Sequence, residues 1–156
     1  MTVRIITDSA SDITAADIAA AGNPALTVLP LSVTFGDKTY ADGVDLTHRR
    51  FYELLVEGDD LPMTGQVNPE SAEELQRAME LAREAGEEVV VITLSGKLSG
   101  TNASAMTAAA AFGGGVYVVD SKSVTVGERI LVDYALRLVG EGLGAADIAC
   151  ALEQAR

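Results

Sequence analysis

Short runs rich in Val, Ile and Leu alternate along this chain with longer stretches whose apolar positions recur every three to four residues. The first kind reads as buried strand, the second as amphipathic helix. Val3 to Thr7 predicts a first strand. A helix follows from Thr14 to about Ala21, opened by the variant capping box Thr14-Ala15-Ala16-Asp17 and stopped by Gly22-Asn23-Pro24. Leu26 to Leu29 predicts a short second strand. Leu31 to Phe35 and Lys38 to Tyr40 flank Gly36-Asp37, which predicts a hairpin with a Gly-first turn. Thr47 caps a helix over 48–57, where Phe51, Leu54 and Leu55 keep helical spacing. Residues 61–67 read as extended or irregular. Asn68-Pro69-Glu70 opens a helix over 69–85 with Leu75, Met79, Leu81 and Ala82 inward, and Gly86 closes it. A strand over 88–94, a helix over about 100–111, a strand over 116–119 and a helix over about 124–140 follow. Ala145 begins a last amphipathic helix, which reaches Arg156 with no Gly, Asn or Pro to stop it.

Helices alternating with Val- and Ile-rich strands predict an α/β fold: a mainly parallel sheet covered by helices. The hairpin over 31–40 interrupts the alternation, so a mixed sheet or a ribbon at one edge is expected. The unclosed last helix suggests the first part of a longer protein.

Composition narrows the function. The 156 residues are 48% hydrophobic, enough for one domain with a proper core. Aromatics are only 4% and Trp is absent, which argues against a base- or sugar-stacking platform. A net charge of −12 repels nucleic acid and anionic membrane, so neither is an expected partner. No apolar run approaches the ~20 residues of a membrane span. A single cysteine, Cys150, excludes a disulfide framework and fits a cytoplasmic location; its Ala-rich surroundings predict a buried or half-buried side chain.

Chemistry concentrates where strands run into helices. Ser95-Gly96-Lys97-Leu98-Ser99-Gly100-Thr101 follows the apolar run 89–94 and precedes a run of small residues. The same layout places Asp8 and Ser9 after the first strand, and Asp120 and Ser121 after the strand over 116–119. Hydroxyls and free N–H groups at a helix start stabilise anions, and open α/β sheets bind ligands at these strand ends. Each Ser or Asp could equally be an ordinary helix cap; three such turns together favour a shared site.

Catalytic patterns are absent. Ser95 has Thr93 and Lys97 where a nucleophile elbow needs glycines. Gly96-Lys97 lacks the first Gly and the Ser/Thr of a phosphate-binding loop. The only histidine, His48, sits at a polar helix start. Asp8, Asp12 and Asp120 are weak candidates for Mg²⁺, and neither metal nor cofactor is expected. The remaining reading is a site that holds a carboxylate or phosphate without acting on it. The competing reading is an acyl or phosphoryl transferase using Ser95 or Asp8 as nucleophile, and a weaker third is a regulatory lobe without ligand.

The chain resembles the DegV family of fatty-acid-binding proteins, which supply acyl groups to a bacterial fatty acid kinase. The resemblance is carried by Ile6-Thr7-Asp8-Ser9-Ala10-Ser11-Asp12, Val28-Leu29-Pro30-Leu31-Ser32-Val33, Tyr40-Ala41-Asp42-Gly43-Val44-Asp45-Leu46 and Phe51-Tyr52, and further on by Met63-Thr64-Gly65-Gln66-Val67-Asn68-Pro69, the turn 95–101 and Val119-Asp120-Ser121. It implies a long-chain fatty acid whose carboxylate is held by Thr64 and Ser95, and a partner kinase subunit that performs the chemistry; the strand-end turns themselves add Gly96, Asp8, Ser9, Ser99, Asp120 and Ser121 as ligand-binding candidates. Gly65 and Gly96 stand where the family usually carries serine. It also implies that residues 1–144 are an N-terminal α/β domain and that 145–156 begin a helix leading to a second lobe absent here. Thr64 and Ser95 are expected to converge, with Ser99 and Thr101 acting mainly as helix-start groups.

Overall fold

The computed structural model describes residues 2–21, 24–59, 61–64 and 69–156; the side chains of Ala21, Thr64 and residues 69–71 lie outside the described residues. The elements are β1 (Val3–Asp8), a 3-10 turn (Ser9–Ser11), α1 (Ala15–Ala21), β2 (Leu26–Leu29), β3 (Ser32–Phe35), β4 (Lys38–Ala41) and α2 (His48–Glu57). Then come β5 (Met63–Thr64), α3 (Pro69–Glu84), β6 (Glu88–Thr93), α4 (Thr101–Ala111), β7 (Val116–Asp120), α5 (Val126–Gly140) and α6 (Ala145–Ala155).

β2, β1, β6 and β7 form a parallel sheet in that order. In register, Ile5 lies beside Leu26 on one side and Val90 on the other, and Val90 lies beside Tyr117. Alternating side chains divide the core in two. Val3, Ile5, Val90 and Ile92 pack against Leu131, Val132 and Ala135 of α5 and Ile148 and Leu152 of α6. Ile6, Val89 and Val91 face Leu75, Met79 and Ala82 of α3 and Ala105 of α4. Burial of each such large side chain is worth about 1.5–3 kcal/mol. That double covering is why β1 and β6 read as near-continuous apolar runs.

Local signals act as expected. Thr14 Oγ1 accepts the Asp17 N–H at 3.1 Å while Asp17 Oδ2 accepts the Thr14 N–H at 2.9 Å, closing the capping box. Thr47 Oγ1 accepts the Arg50 N–H at the start of α2. Gly36, the first residue of the hairpin turn, has φ 55°, the left-handed geometry that a Gly-first turn requires.

Four expectations change. The hairpin joins no edge of the parallel sheet: β3 pairs with β4 and with β5 in a separate antiparallel sheet ordered β4-β3-β5. Pro30, which has no N–H to continue a ladder, stands between β2 and the second sheet. Met63–Thr64, expected only to be extended or irregular, forms a paired strand, β5, opposite Val33 and Thr34; two residues are too few to show an alternation. Leu81 is 57% exposed, because it lies two residues from Met79 and so on another face of α3. Cys150 is exposed for the same reason, two residues after buried Ile148.

Candidate functional site

β1 and β6 are neighbours, yet β1 leads through α1 to β2 on one side and β6 leads through α4 to β7 on the other. Ile18 of α1 packs with the α5–α6 core, whereas Ala105 of α4 lies in the opposite layer. The chain therefore diverges between the C-terminal ends of β1 and β6, at a topological switch point where α/β sheets open a crevice.

The turns after β1, β6 and β7 are knitted together there. The Ser95 N–H donates to Ser123 O at 2.8 Å, the Ser121 N–H to Thr93 O at 3.0 Å, and the Thr125 N–H to Ala10 O at 2.7 Å. Asp12, Lys122 and Thr125, the non-glycine residues with positive φ among those described, all sit in these turns. Thr125, β-branched with φ 55° and ψ −123°, is the most strained of them.

Asp8 bridges the crevice. Its Oδ2 accepts the Leu94 N–H at 2.9 Å and its Oδ1 the Ala10 N–H at 3.0 Å. At 4% exposure it is a clamp between strands, poorly placed to act as a nucleophile. Burial pushes its carboxyl above the ordinary carboxylate range, opposed by those two N–H groups and by Glu128. Ser9 Oγ accepts the Leu31 N–H at 3.0 Å and ties this turn to the second sheet.

Ser95 is the best-placed hydroxyl. It is buried, and its Oγ accepts the Lys97 N–H at 3.3 Å. That bond leaves its own O–H to donate. Several of the N–H groups expected to be free in this turn are taken, although the start of α4 carries no side-chain cap. Gly96 N–H donates to Asp120 Oδ1 at 3.1 Å, Lys97 N–H to Ser95 Oγ, and both Leu98 and Ser99 N–H to Ser95 O. Gly96 and Asp120 are thus bound to each other.

The other candidates serve the turns. Ser99 Oγ accepts the Thr101 N–H at 3.2 Å and lies 2.9 Å from Thr101 Oγ1, a helix-start role for both. Ser121 Oγ accepts the Ser123 N–H and donates to Ser123 O, each at 3.1 Å. Thr64 is placed by its backbone opposite Val33, but its side chain lies outside the described residues, as do residues 65–68. Its convergence with Ser95 stays an expectation.

Beside the crevice lies a small apolar cavity of about 40 Å³, lined by Ile6, Leu29, Leu31, Leu75 and Val91, with Asp8 and Thr93 on its polar side. A single water needs about 10–15 Å³ by this measure, so the cavity admits only a few atoms. Among the described residues no three His, Cys, Asp or Glu side chains gather to hold a metal ion, and no helix is long and apolar enough to cross a membrane.

One residue of the site escaped the sequence reading. Glu128, in the first turn of α5, has 0% exposure. Thr7 Oγ1 donates to its Oε1 at 3.1 Å, and its Oε2 is buried without a hydrogen-bond partner. Burial, then the neighbouring Asp8 charge, raises its pKa to about 9. The signal was available: Glu128 continues the buried stripe of Leu131, Val132, Ala135 and Leu138 one turn toward the helix start.

A family model described as "Uncharacterised protein, DegV family" matches residues 2–156. The chain belongs to the DegV family. A DegV domain-containing protein of Deinococcus radiodurans is 40% identical over 154 residues, which are 99% of this chain and 53% of that protein. Among solved structures, a DegV family protein of Thermus thermophilus described for its fatty acid binding shares 32% identity at a TM-score of 0.85, covering 99% of this chain and 53% of that one. A stearic-acid-binding protein of Eubacterium ventriosum shares 29% identity at a TM-score of 0.82, covering 98% and 52%. The chain spans about half the length of these DegV relatives. Gly96, where the DegV resemblance leads one to expect serine, faces Asp120: a Cβ there would stand 3.0 Å from Asp120 Oδ2. The DegV fold is thus kept while this turn closes on its own carboxylate.

Proposed function

We propose that this chain is one lobe of a cytoplasmic fatty-acid-binding protein that holds a long-chain fatty acid and presents its carboxylate to a partner kinase subunit. The observation that carries the reading is Ser95: a buried hydroxyl with a proton to donate, at the switch point of a fold shared with DegV proteins described as binding fatty acids. Thr64 is the second hydroxyl in this reading. Phosphoryl transfer to the carboxylate belongs to the kinase.

The small cavity cannot enclose a long acyl tail. Leu98 in the Ser95 turn is 67% exposed, and Val124 after β7 and Val126 at the start of α5 are 38% and 64% exposed. They support the reading that this lobe is the strand-end wall of a cleft whose other wall is the second lobe of the longer relatives. Closing that cleft buries acyl methylenes at about 0.8 kcal/mol each, so one lobe alone binds more weakly than two.

Mass spectrometry of lipid extracted from purified protein that includes the second lobe tests the reading. Long-chain fatty acid at about one per protein is expected. A preparation without acyl lipid, which also fails to take up added fatty acid, overturns it. Incubation with ATP and fatty acid alone separates the transferase reading, because turnover without a kinase subunit would make this chain the enzyme.

A further inference from the structure

We propose that Glu128 is a positioning residue: its carboxyl proton is donated to Asp8, locking Asp8 across the β1–β6 crevice and thereby fixing the turn that presents Ser95. The geometry sets the direction of the bond. Thr7 Oγ1 donates to Glu128 Oε1, so Oε1 is an acceptor and the proton belongs on Oε2. Oε2 is fully buried and has no other partner. The Asp8 carboxyl lies alongside the Glu128 carboxyl, and each Asp8 oxygen accepts one backbone N–H with a lone pair to spare. A chain of contacts then runs from α5 through Glu128 to Asp8, and from Asp8 to the Leu94 N–H, one residue before Ser95.

The surroundings favour the neutral form of Glu128. Asp8 on β1 and Asp12 at the end of the 3-10 turn are the charges that act on it, and both are acidic. Arg129, the next residue of α5, directs its guanidinium to Asp12 O and Asp17 Oδ1 instead. On the other packed elements, Glu88 of β6 accepts the Ala145 N–H, and Glu153 of α6 pairs with Arg156. Two ionised carboxylates cannot share this buried space, so one of the pair keeps its proton. Asp8, holding two N–H groups, is the anion; Glu128, holding one hydroxyl donor, is the acid. Its pKa near 9 agrees.

Only the ligand arm of the test rests on the proposed fatty-acid function. The first arm uses the full chain without ligand: carboxyl carbon NMR of Glu128 with amide signals of Leu94 and Ala10, followed over pH. The expected result is a Glu128 carboxyl that stays protonated through neutral pH and titrates near 9, with the Leu94 amide following the same midpoint. Glu128→Gln keeps a donor toward Asp8 and an acceptor for Thr7; it should retain Leu94 amide protection and abolish the transition. Glu128→Leu should speed Leu94 exchange by on the order of tenfold or more, the effect of losing a hydrogen bond to a charged group. A Glu128 that titrates in the ordinary carboxylate range, a Leu94 amide that does not follow the Glu128 titration, or a Leu94 transition that persists in Glu128→Gln overturns the proposal. These wild-type and Gln measurements decide the matter even where the Leu variant fails to fold. In the second arm, palmitate affinity should fall along the same midpoint in wild type and stay flat in Glu128→Gln. Absence of palmitate binding at every pH counts against the function reading alone; binding in wild type with no such fall overturns the link between Glu128 and the Ser95 turn.

Discussion

Asp120 and Gly96 close on each other: Asp120 Oδ1 accepts the Gly96 N–H at 3.1 Å, and its Oδ2 stands 3.0 Å from where a Cβ on Gly96 would be. The same Oδ1 accepts the Lys122 N–H at 2.8 Å, so one carboxylate oxygen fixes the turns after β6 and β7 together. Gly96→Ala forces the carboxylate aside and strains both bonds. A loss of about 1–3 kcal/mol in urea unfolding is expected, the range for overpacking a tight site.

Ser95→Ala should leave the fold nearly intact, because the hydroxyl's one bond within the turn is the 3.3 Å contact from Lys97 N–H. Its effect belongs to the ligand. Removing a hydrogen bond to a carboxylate costs on the order of 1.5–3 kcal/mol, which calorimetry reads as roughly tenfold to hundredfold weaker fatty-acid binding. Equal affinity in variant and wild type would remove Ser95 from the head-group site.

Stability should fall as pH rises from about 5 to 9. Glu128 ionises near 4.5 when unfolded but near 9 when folded. Between those values the native state binds the extra proton, so each pH unit costs at most about 1.4 kcal/mol. Asp17 works in the opposite sense at the acid end. Hydrogen bonds from Thr14 and then Arg129 hold it at about 2, so its contribution is present above the unfolded value of 3.8 and fades as pH drops through about 2. Thermal melting across pH checks both, and Glu128→Gln should flatten the alkaline slope while leaving the acid one.

Gly127 is the tightest position of α5. A Cβ there would overlap Ser123 Oγ and stand 3.0 Å from Ser123 Cβ. Gly127→Ala should therefore destabilise the chain, and Ser123→Gly in the same molecule should recover most of the loss. A double-mutant cycle by chemical denaturation would show the coupling; additive effects would contradict it.

Much of this was legible in sequence because local chemistry set it. The Thr14–Asp17 box, the Thr47 cap and the Gly36 turn each depend on residues within a few positions of one another. Long-range choices were not legible. Nothing in Ser32–Phe35 says that its partner is Met63–Thr64 rather than the parallel sheet. The turn over 95–101 looked like a store of free N–H groups, and only the fold shows Asp120 taking one of them from 24 residues away. Glu128 was passed over because an acid in a helix's first turn is ordinarily a solvated partner of the dipole. Its place on the buried stripe outweighed that, and Asp8, 120 positions earlier, gave it an acceptor.

The most direct measurement is a titration of the protein with a soluble medium-chain fatty acid, following backbone amide signals residue by residue. Saturable shifts centred on Ser95, Gly96 and the adjoining 121–123 turn are expected, and they should weaken sharply in Ser95→Ala. Shifts that saturate elsewhere, or that persist unchanged in Ser95→Ala, would contradict the account.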